Sequence, residues 1–209
     1  FWPDAIYELK PKGKDGYEVV WSWHVWDHLL QDIDRNQPNY GLAFDDAHRI
    51  HINGSSREPR MTASERERLI ALGYLQPSDG DDGATDEEAP KPVFEKADWL
   101  HSNGIDYLAE LDLIVLSVRS LNEIWFIDHS TSRAEAKGST GGRFGKGGDL
   151  LFRWGNPAAH GMGNIEDQRL FAQHDARFVS GDRDHVRVTV FNNGRGRPLT
   201  DEPYSTVEE

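Results

Sequence analysis

The chain of 209 residues sets 23 Lys and Arg against 36 Asp and Glu, a formal net charge of -13, which opposes general attraction to nucleic acid or to an anionic membrane surface. It has no cysteine, which excludes disulfides, thiolate metal sites and a Cys nucleophile while leaving the compartment open. Seven Trp, six Tyr and nine Phe beside 20 Gly and 10 Pro point to an all-β fold with frequent turns and long loops, and no apolar run is long enough for a membrane span.

Phe1-Trp2-Pro3 begins without an initiator Met, and Val207-Glu208-Glu209 ends in strand-like sequence. The chain is therefore expected to be a segment of a longer protein, with any export signal outside it. Ala5 to Leu9 and Glu18 to Trp23 read as strands joined by the turn-forming Lys10-Pro-Lys-Gly-Lys-Asp-Gly16. The alternating Trp21, Trp23 and Trp26 suit a face packed on another sheet, and His28 reads as a rim histidine beside aromatics rather than a metal ligand. Residues 1–30 would be outer strands of one unit. Residues 31–97 read as an irregular insertion. Within it Thr62-Ala-Ser-Glu65 is a capping box opening a short helix through Leu69, Ile70 and Leu72. The acidic stretch from Pro77 to Pro90 reads as solvated and flexible, its carboxylates fitting no EF-hand spacing.

Residues 98–155 read as a central unit. The run Leu113-Ile-Val-Leu-Ser-Val, ending at Arg119, is rich in β-branched residues and of a length for one buried strand. Glu123 to Asp128 and Asp149 to Trp154 read as further strands around the glycine-rich Lys137 to Gly148. That loop contains Gly-Gly-Arg-Phe-Gly-Lys, yet Gly147 rather than Ser or Thr follows Lys146 and a strand follows the loop. It is therefore expected to be a flexible connection, not a phosphate cradle. Four antiparallel strands and then a new strand opening at Gln173-His174 is the pattern of a β-propeller blade. Residues 156–209 would supply a connection and a following, truncated blade.

The chemistry-bearing residues gather at strand starts and ends. His101 and Asn103, two apart, are expected on one face of an extended segment. Arg119 closes the next strand, and His, Asn and Arg together offer the donors that hold a tetrahedral oxyanion. His174 follows His101, and Asn192 follows Arg119, at one offset of 73 residues, with Ile105 matched by Phe178 and Val115 by Val188. In a propeller the first strand of each blade lines the channel, which would bring His101, Asn103 and His174 together. Three readings remain open at this point: an enzyme, a non-enzymatic propeller that binds a carbohydrate or protein, and a metal-dependent hydrolase using His101, His174 and nearby Asp. Arg119 argues against the last, because it would repel a divalent cation, although it can also merely pair with Asp106 or Asp112.

Asp98-Trp-Leu-His101-Ser-Asn103-Gly-Ile-Asp-Tyr107, Ile114-Val-Leu-Ser-Val-Arg119, Gln173-His174-Asp-Ala176 and Phe191-Asn-Asn-Gly194 together resemble the bacterial arylsulfotransferases, the arylsulfate sulfotransferases that use no nucleotide donor. Gly104 stands where that family commonly has Ser, and Ser120 replaces a frequent His. The resemblance implies a six-bladed β-propeller, of which this chain would supply about three blades and be inactive alone. It implies transfer of a sulfuryl group from an aryl sulfate donor to a phenolic acceptor by a ping-pong route through a sulfated histidine, in the periplasm or outside the cell. It implies His174 as nucleophile, with His101, Asn103 and Arg119 binding the sulfuryl oxygens and assisting proton transfer. No cofactor, metal or nucleic-acid partner is implied, and a homo-oligomer is left open.

Overall fold

The apolar run Leu113-Ile-Val-Leu-Ser-Val is the spine of the architecture, and a computed structural model, which describes residues 3–52, 54, 98–197 and 204–209, shows why every one of its residues is apolar or small. In chain order the strands are β1 (Ala5–Pro11), β2 (Tyr17–His24), β3 (Leu29–Leu30), β4 (Ile50–His51), β5 (Ser102–Leu108), β6 (Leu113–Val118), β7 (Glu123–Asp128), β8 (Phe152–Trp154), β9 (His174–Gly181), β10 (Val186–Asn192) and β11 (Thr206–Glu208). β5 to β8 form a four-stranded antiparallel meander; β9, β10 and β11 form a second antiparallel sheet; β1 and β2 form a hairpin; and the two-residue β3 and β4 pair in parallel. The described residues are thus all-β with short 3-10 turns.

Successive residues of a strand face opposite sides, and β6 is covered on both. Ile114, Leu116 and Val118 pack with Trp125 and Ile127 of β7 against Trp21 and Trp23 of the first hairpin. Val115, on the other face, joins Ile124 with Ala176 and Val190 of the following sheet, beside Phe178 and Val188. Each large side chain so removed from water contributes roughly 1.5–3 kcal/mol. Trp21 and Trp23 also satisfy their indole N–H groups: Trp21 donates to Thr131 Oγ1 at 3.0 Å and Trp23 to the Gly148 carbonyl at 2.7 Å.

Three local expectations change. The last strand of the meander spans only Phe152–Trp154. Asp149 is instead drawn to His28, and the Leu150 N–H donates to the His48 carbonyl at 2.8 Å, leaving no ladder for them. His28 is fully buried rather than at a rim, with Nδ1 2.7 Å from Asp149 Oδ1, Nε2 2.9 Å from the Ala136 carbonyl, and its ring stacked on Trp23. The glycine-rich loop is folded on itself: the Phe144 N–H donates to Asp128 Oδ2 at 3.1 Å, and Gly148 N–H to the Gly138 carbonyl at 2.9 Å. The expected helix at 62–72 and the acidic stretch at 77–90 lie outside the described residues.

The meander is also cross-braced by a buried charge. Glu123, at the start of β7, accepts from Trp125 Nε1 at 2.7 Å, from Arg153 Nε at 3.1 Å and again from Arg153 Nη2, and meets His160 Nδ1 at 3.0 Å. Burial alone would raise its carboxyl pKa, but the Arg153 charge and the hydrogen bonds from His160 and Arg153 outweigh that and hold it below the ordinary 4.5. A carboxyl depressed in the folded state adds stability above its unfolded value, and that stability is lost as pH falls through the folded value. Arg153→Met should therefore cost about 3–5 kcal/mol in urea unfolding by stranding Glu123. Glu123→Gln should flatten the acid limb of stability below pH 4.5; an unchanged limb would show that other groups set it.

Candidate active site

β5 begins where β6 ends, and this end of the ladder collects the polar residues. Ser102 pairs with Val118, and the Ser120 N–H donates to the Leu100 carbonyl at 3.0 Å, so His101 and Arg119 flank the same end of the ladder. Arg119 opens a 3-10 turn, Arg119–Leu121, that closes at left-handed Asn122 while Leu121 plugs the core. The Asp4 carboxylate accepts from the Ser102 N–H at 3.1 Å, tying the first hairpin to the same place.

His101 and Asn103 do not reach this end by simple alternation. His101 precedes β5 and has φ 52°, in the left-handed region, and Asn103 is the extra residue of a β-bulge between Ser102 and Gly104. The bulge lets the Asn103 amide donate to the Gln173 carbonyl at 2.8 Å, across the gap to the next sheet. Gln173 is buried, and its own amide nitrogen reaches the Glu123 carbonyl at 2.8 Å and the Val118 carbonyl at 3.1 Å. His174, the next residue, is thereby held beside the end that carries His101, Asn103 and Arg119.

The His174 ring has a carboxamide partner. Asn193 Nδ2 lies 2.6 Å from His174 Nδ1 and also donates to the Ala172 carbonyl. His101 Nδ1 meets the Asp98 carboxylate. Arg119 is half-buried and makes no hydrogen bond or ion pair among the described residues. Its possible partners are engaged elsewhere: Asp106 accepts from the Phe178 N–H at 2.9 Å, and Asp112 accepts from Tyr107 OH at 2.7 Å and meets His129 Nδ1 at 2.7 Å. Left-handed backbone recurs beside the second histidine, at Ala172 (φ 54°) and Asp175 (φ 53°), and strain of this kind concentrates at functional sites.

The offset of 73 residues holds at the hairpin tips, where Leu108 pairs with Leu113 and Gly181 with Val186, and along the second strands. On β9 it slips. Arg187 pairs with Ser180 but Val188 with Phe178, so Val179 is an extra residue, and Phe178 occupies the place of Asp106 rather than Ile105. His174, paired with Phe191, consequently stands where Ser102 stands opposite Val118, one step beyond His101.

A cleft of about 840 Å³ lies at the opposite end of the sheets, lined by Leu111, Phe126, Arg143, Phe144 and the 182–186 turn. Tyr107 sits toward that end, and its hydrogen bond to Asp112, with partial burial, pushes its pKa up to about 12. Neither touches the histidine cluster. No group of three His, Asp or Glu placed to hold a metal ion occurs among the described residues, and no helix among them is long and apolar enough to cross a membrane. Asp98 and Asn193, which contact the two rings, are the site residues that reasoning from sequence did not single out.

Described residues that are all-β and bring two imidazoles, two carboxamides and a guanidinium without a partner among them to one sheet end have the donors that a tetrahedral oxyanion requires. The arylsulfotransferase (ASST) family model matches residues 3–209, and the chain belongs to that family. The family indicates a sulfotransferase and implies an aryl sulfate donor and a phenol acceptor. No curated protein and no solved structure matches the chain.

The approach of β5 to β9 is close where the site is built. A Cβ at Gly104 would lie 3.1 Å from the Asp175 nitrogen and 3.2 Å from its Cα. Gly104→Ser should force the two strands apart and cost about 1–3 kcal/mol in urea unfolding. A variant as stable as the parent would show that the gap yields freely.

Proposed function

We propose that the cluster of His101, Asn103, Arg119 and His174 transfers a sulfuryl group from an aryl sulfate to a phenol through a sulfohistidine, in two half-reactions that share one site. The observation that carries this reading is the Asn103 to Gln173 hydrogen bond of 2.8 Å, which joins the His101 and Arg119 end of one sheet to the His174 end of the next. A sulfate monoester anion resists attack because its oxygens repel an incoming lone pair, so fixed cationic and amide donors around those oxygens lower the barrier most. Arg119, without an internal partner among the described residues, is the cation that offsets this charge. One amide hydrogen of Asn103 remains after its bond to Gln173.

An imidazole with an ordinary pKa near 6.5 serves as nucleophile around neutral pH, and a departing phenolate, whose acid has a pKa near 10, leaves faster when a second imidazole protonates it. The family resemblance assigns attack to His174 and proton transfer to His101. The same resemblance supports a propeller blade for β5 to β8 with the β9 sheet as its neighbour, and a periplasmic or extracellular setting.

The test is acceptor dependence. The full-length protein should release 4-nitrophenol from 4-nitrophenyl sulfate faster when a phenol is added. His174→Ala should abolish that release, and Arg119→Ala should lower kcat by about 10²–10³-fold, as for loss of one oxyanion donor. A sulfated histidine should be trapped when no acceptor is present. Release that ignores the acceptor, or survives His174→Ala, overturns the reading. Tight binding without turnover would favour a binding scaffold.

A further inference from the structure

The two histidines of the cluster are not held alike. A carboxylate can only accept a hydrogen bond unless it is protonated, so the Asp98 carboxylate at His101 Nδ1 requires a proton on that nitrogen. In the neutral ring the lone pair of His101 is then on Nε2. At His174 the partner is an amide, whose two ends are distinguished by what else they touch. The same atom of Asn193 that lies 2.6 Å from His174 Nδ1 also contacts the Ala172 carbonyl oxygen. Two acceptor oxygens would repel at such a contact, so this atom is the NH2 nitrogen, one hydrogen on Ala172 and the other on His174. The Ala172 carbonyl is itself fixed, because Ala172 holds a left-handed conformation and its N–H donates to Asn122 Oδ1 at 2.7 Å. His174 Nδ1 is therefore an acceptor, and the neutral ring carries its proton on Nε2.

We infer that Asp98 and Asn193 are positioning residues that set the two active-site imidazoles in opposite tautomers, His101 offering an unprotonated Nε2 and His174 an N–H at Nε2. The tautomers follow from the contacts alone; their consequence for catalysis rests on the sulfuryl-transfer reading. In the first half-reaction the bond from sulfur to the aryl oxygen breaks and a bond from sulfur to His174 Nε2 forms. As that bond forms, the proton on His174 Nε2 passes to His101 Nε2, the basic ring nitrogen this arrangement supplies, which leaves the N–H electron pair for sulfur, and His101 delivers the proton to the departing aryl oxygen. The products are sulfo-His174 and a neutral phenol. His174 Nδ1 stays unprotonated against Asn193 throughout, so the sulfated ring carries no added positive charge. The second half-reaction runs the same steps backwards from the acceptor phenol. Asp98 thus serves proton transfer through His101, and Asn193 dictates that the nucleophile must be relieved of a proton before its nitrogen is free.

Long-range proton–nitrogen correlation spectra of the protein labelled with nitrogen-15 in its histidine rings, taken where the rings are neutral, read the tautomers directly. His174 is expected to carry its proton on Nε2 and His101 on Nδ1. Asn193→Asp, which replaces the donor by an acceptor, should move the His174 proton to Nδ1. Asp98→Ala removes a half-exposed carboxylate and should let His101 populate both forms. In turnover, Asp98→Ala should lower kcat by about 10²-fold or more with little change in KM. The loss should be greater for phenyl sulfate than for 4-nitrophenyl sulfate, because the poorer leaving group depends more on the proton. A His174 proton on Nδ1 in the unaltered protein, or an Asp98→Ala loss equal for both esters, overturns the inference. The expected tautomers in a protein that turns over no aryl sulfate would uphold the two positioning residues and sink the sulfuryl-transfer reading instead.

Discussion

The arrangement depends on one buried carboxamide. Gln173 lies between two sheets and spends its amide hydrogens on main-chain carbonyls at the end of β6 and the start of β7, while its main-chain carbonyl takes the Asn103 amide. Buried backbone carbonyls without partners are costly, so the position of Gln173 is dictated by groups that belong to the meander. The residue that follows it is His174. Register within each sheet is set by ladders, but register between the sheets at the polar end is set by this side chain.

Burial on both faces explains the rest of the scaffold. β6 has no solvent side: the tryptophan hairpin covers one face and the β9–β10 pair the other. The two turns that leave β6 and β7 are consequently pinned by core residues, among them Leu121, and the polar groups they carry have little freedom to rearrange. The Glu123 hub adds a second constraint from the outer strand, through Arg153. A rigid frame of this kind suits chemistry in which donors must already be in place when charge develops.

Much of this frame was legible in the sequence. A short continuous run such as Leu113 to Val118, rich in β-branched residues, reads as a strand buried on both sides, and the order of strands and glycine-rich turns gives the meander. The strand ends on which His101, Asn103, Arg119 and His174 stand were legible too. What alternation did not reveal is how they arrive there. His101 and Asn103 depend on a left-handed residue and a bulge, which no period of two contains. The environment of His28 depends on Asp149, distant in the chain, and the same contact ends the strand that the sequence seemed to begin there. Asp98 and Asn193 stand within the quoted stretches, yet nothing there sets them apart from their neighbours, because their meaning lies in which ring nitrogen they touch.

The extra residue at Val179 has a quieter consequence. It is exposed, faces no ladder partner, and separates the outer tip of the β9–β10 hairpin from the stretch that leads back to His174. A bulge of this sort works as slack: changes of length at the tip can be absorbed there, and the inner rungs keep their pairing. The distal turns are thereby free to diverge in size and sequence while the imidazole at the other end stays where it is.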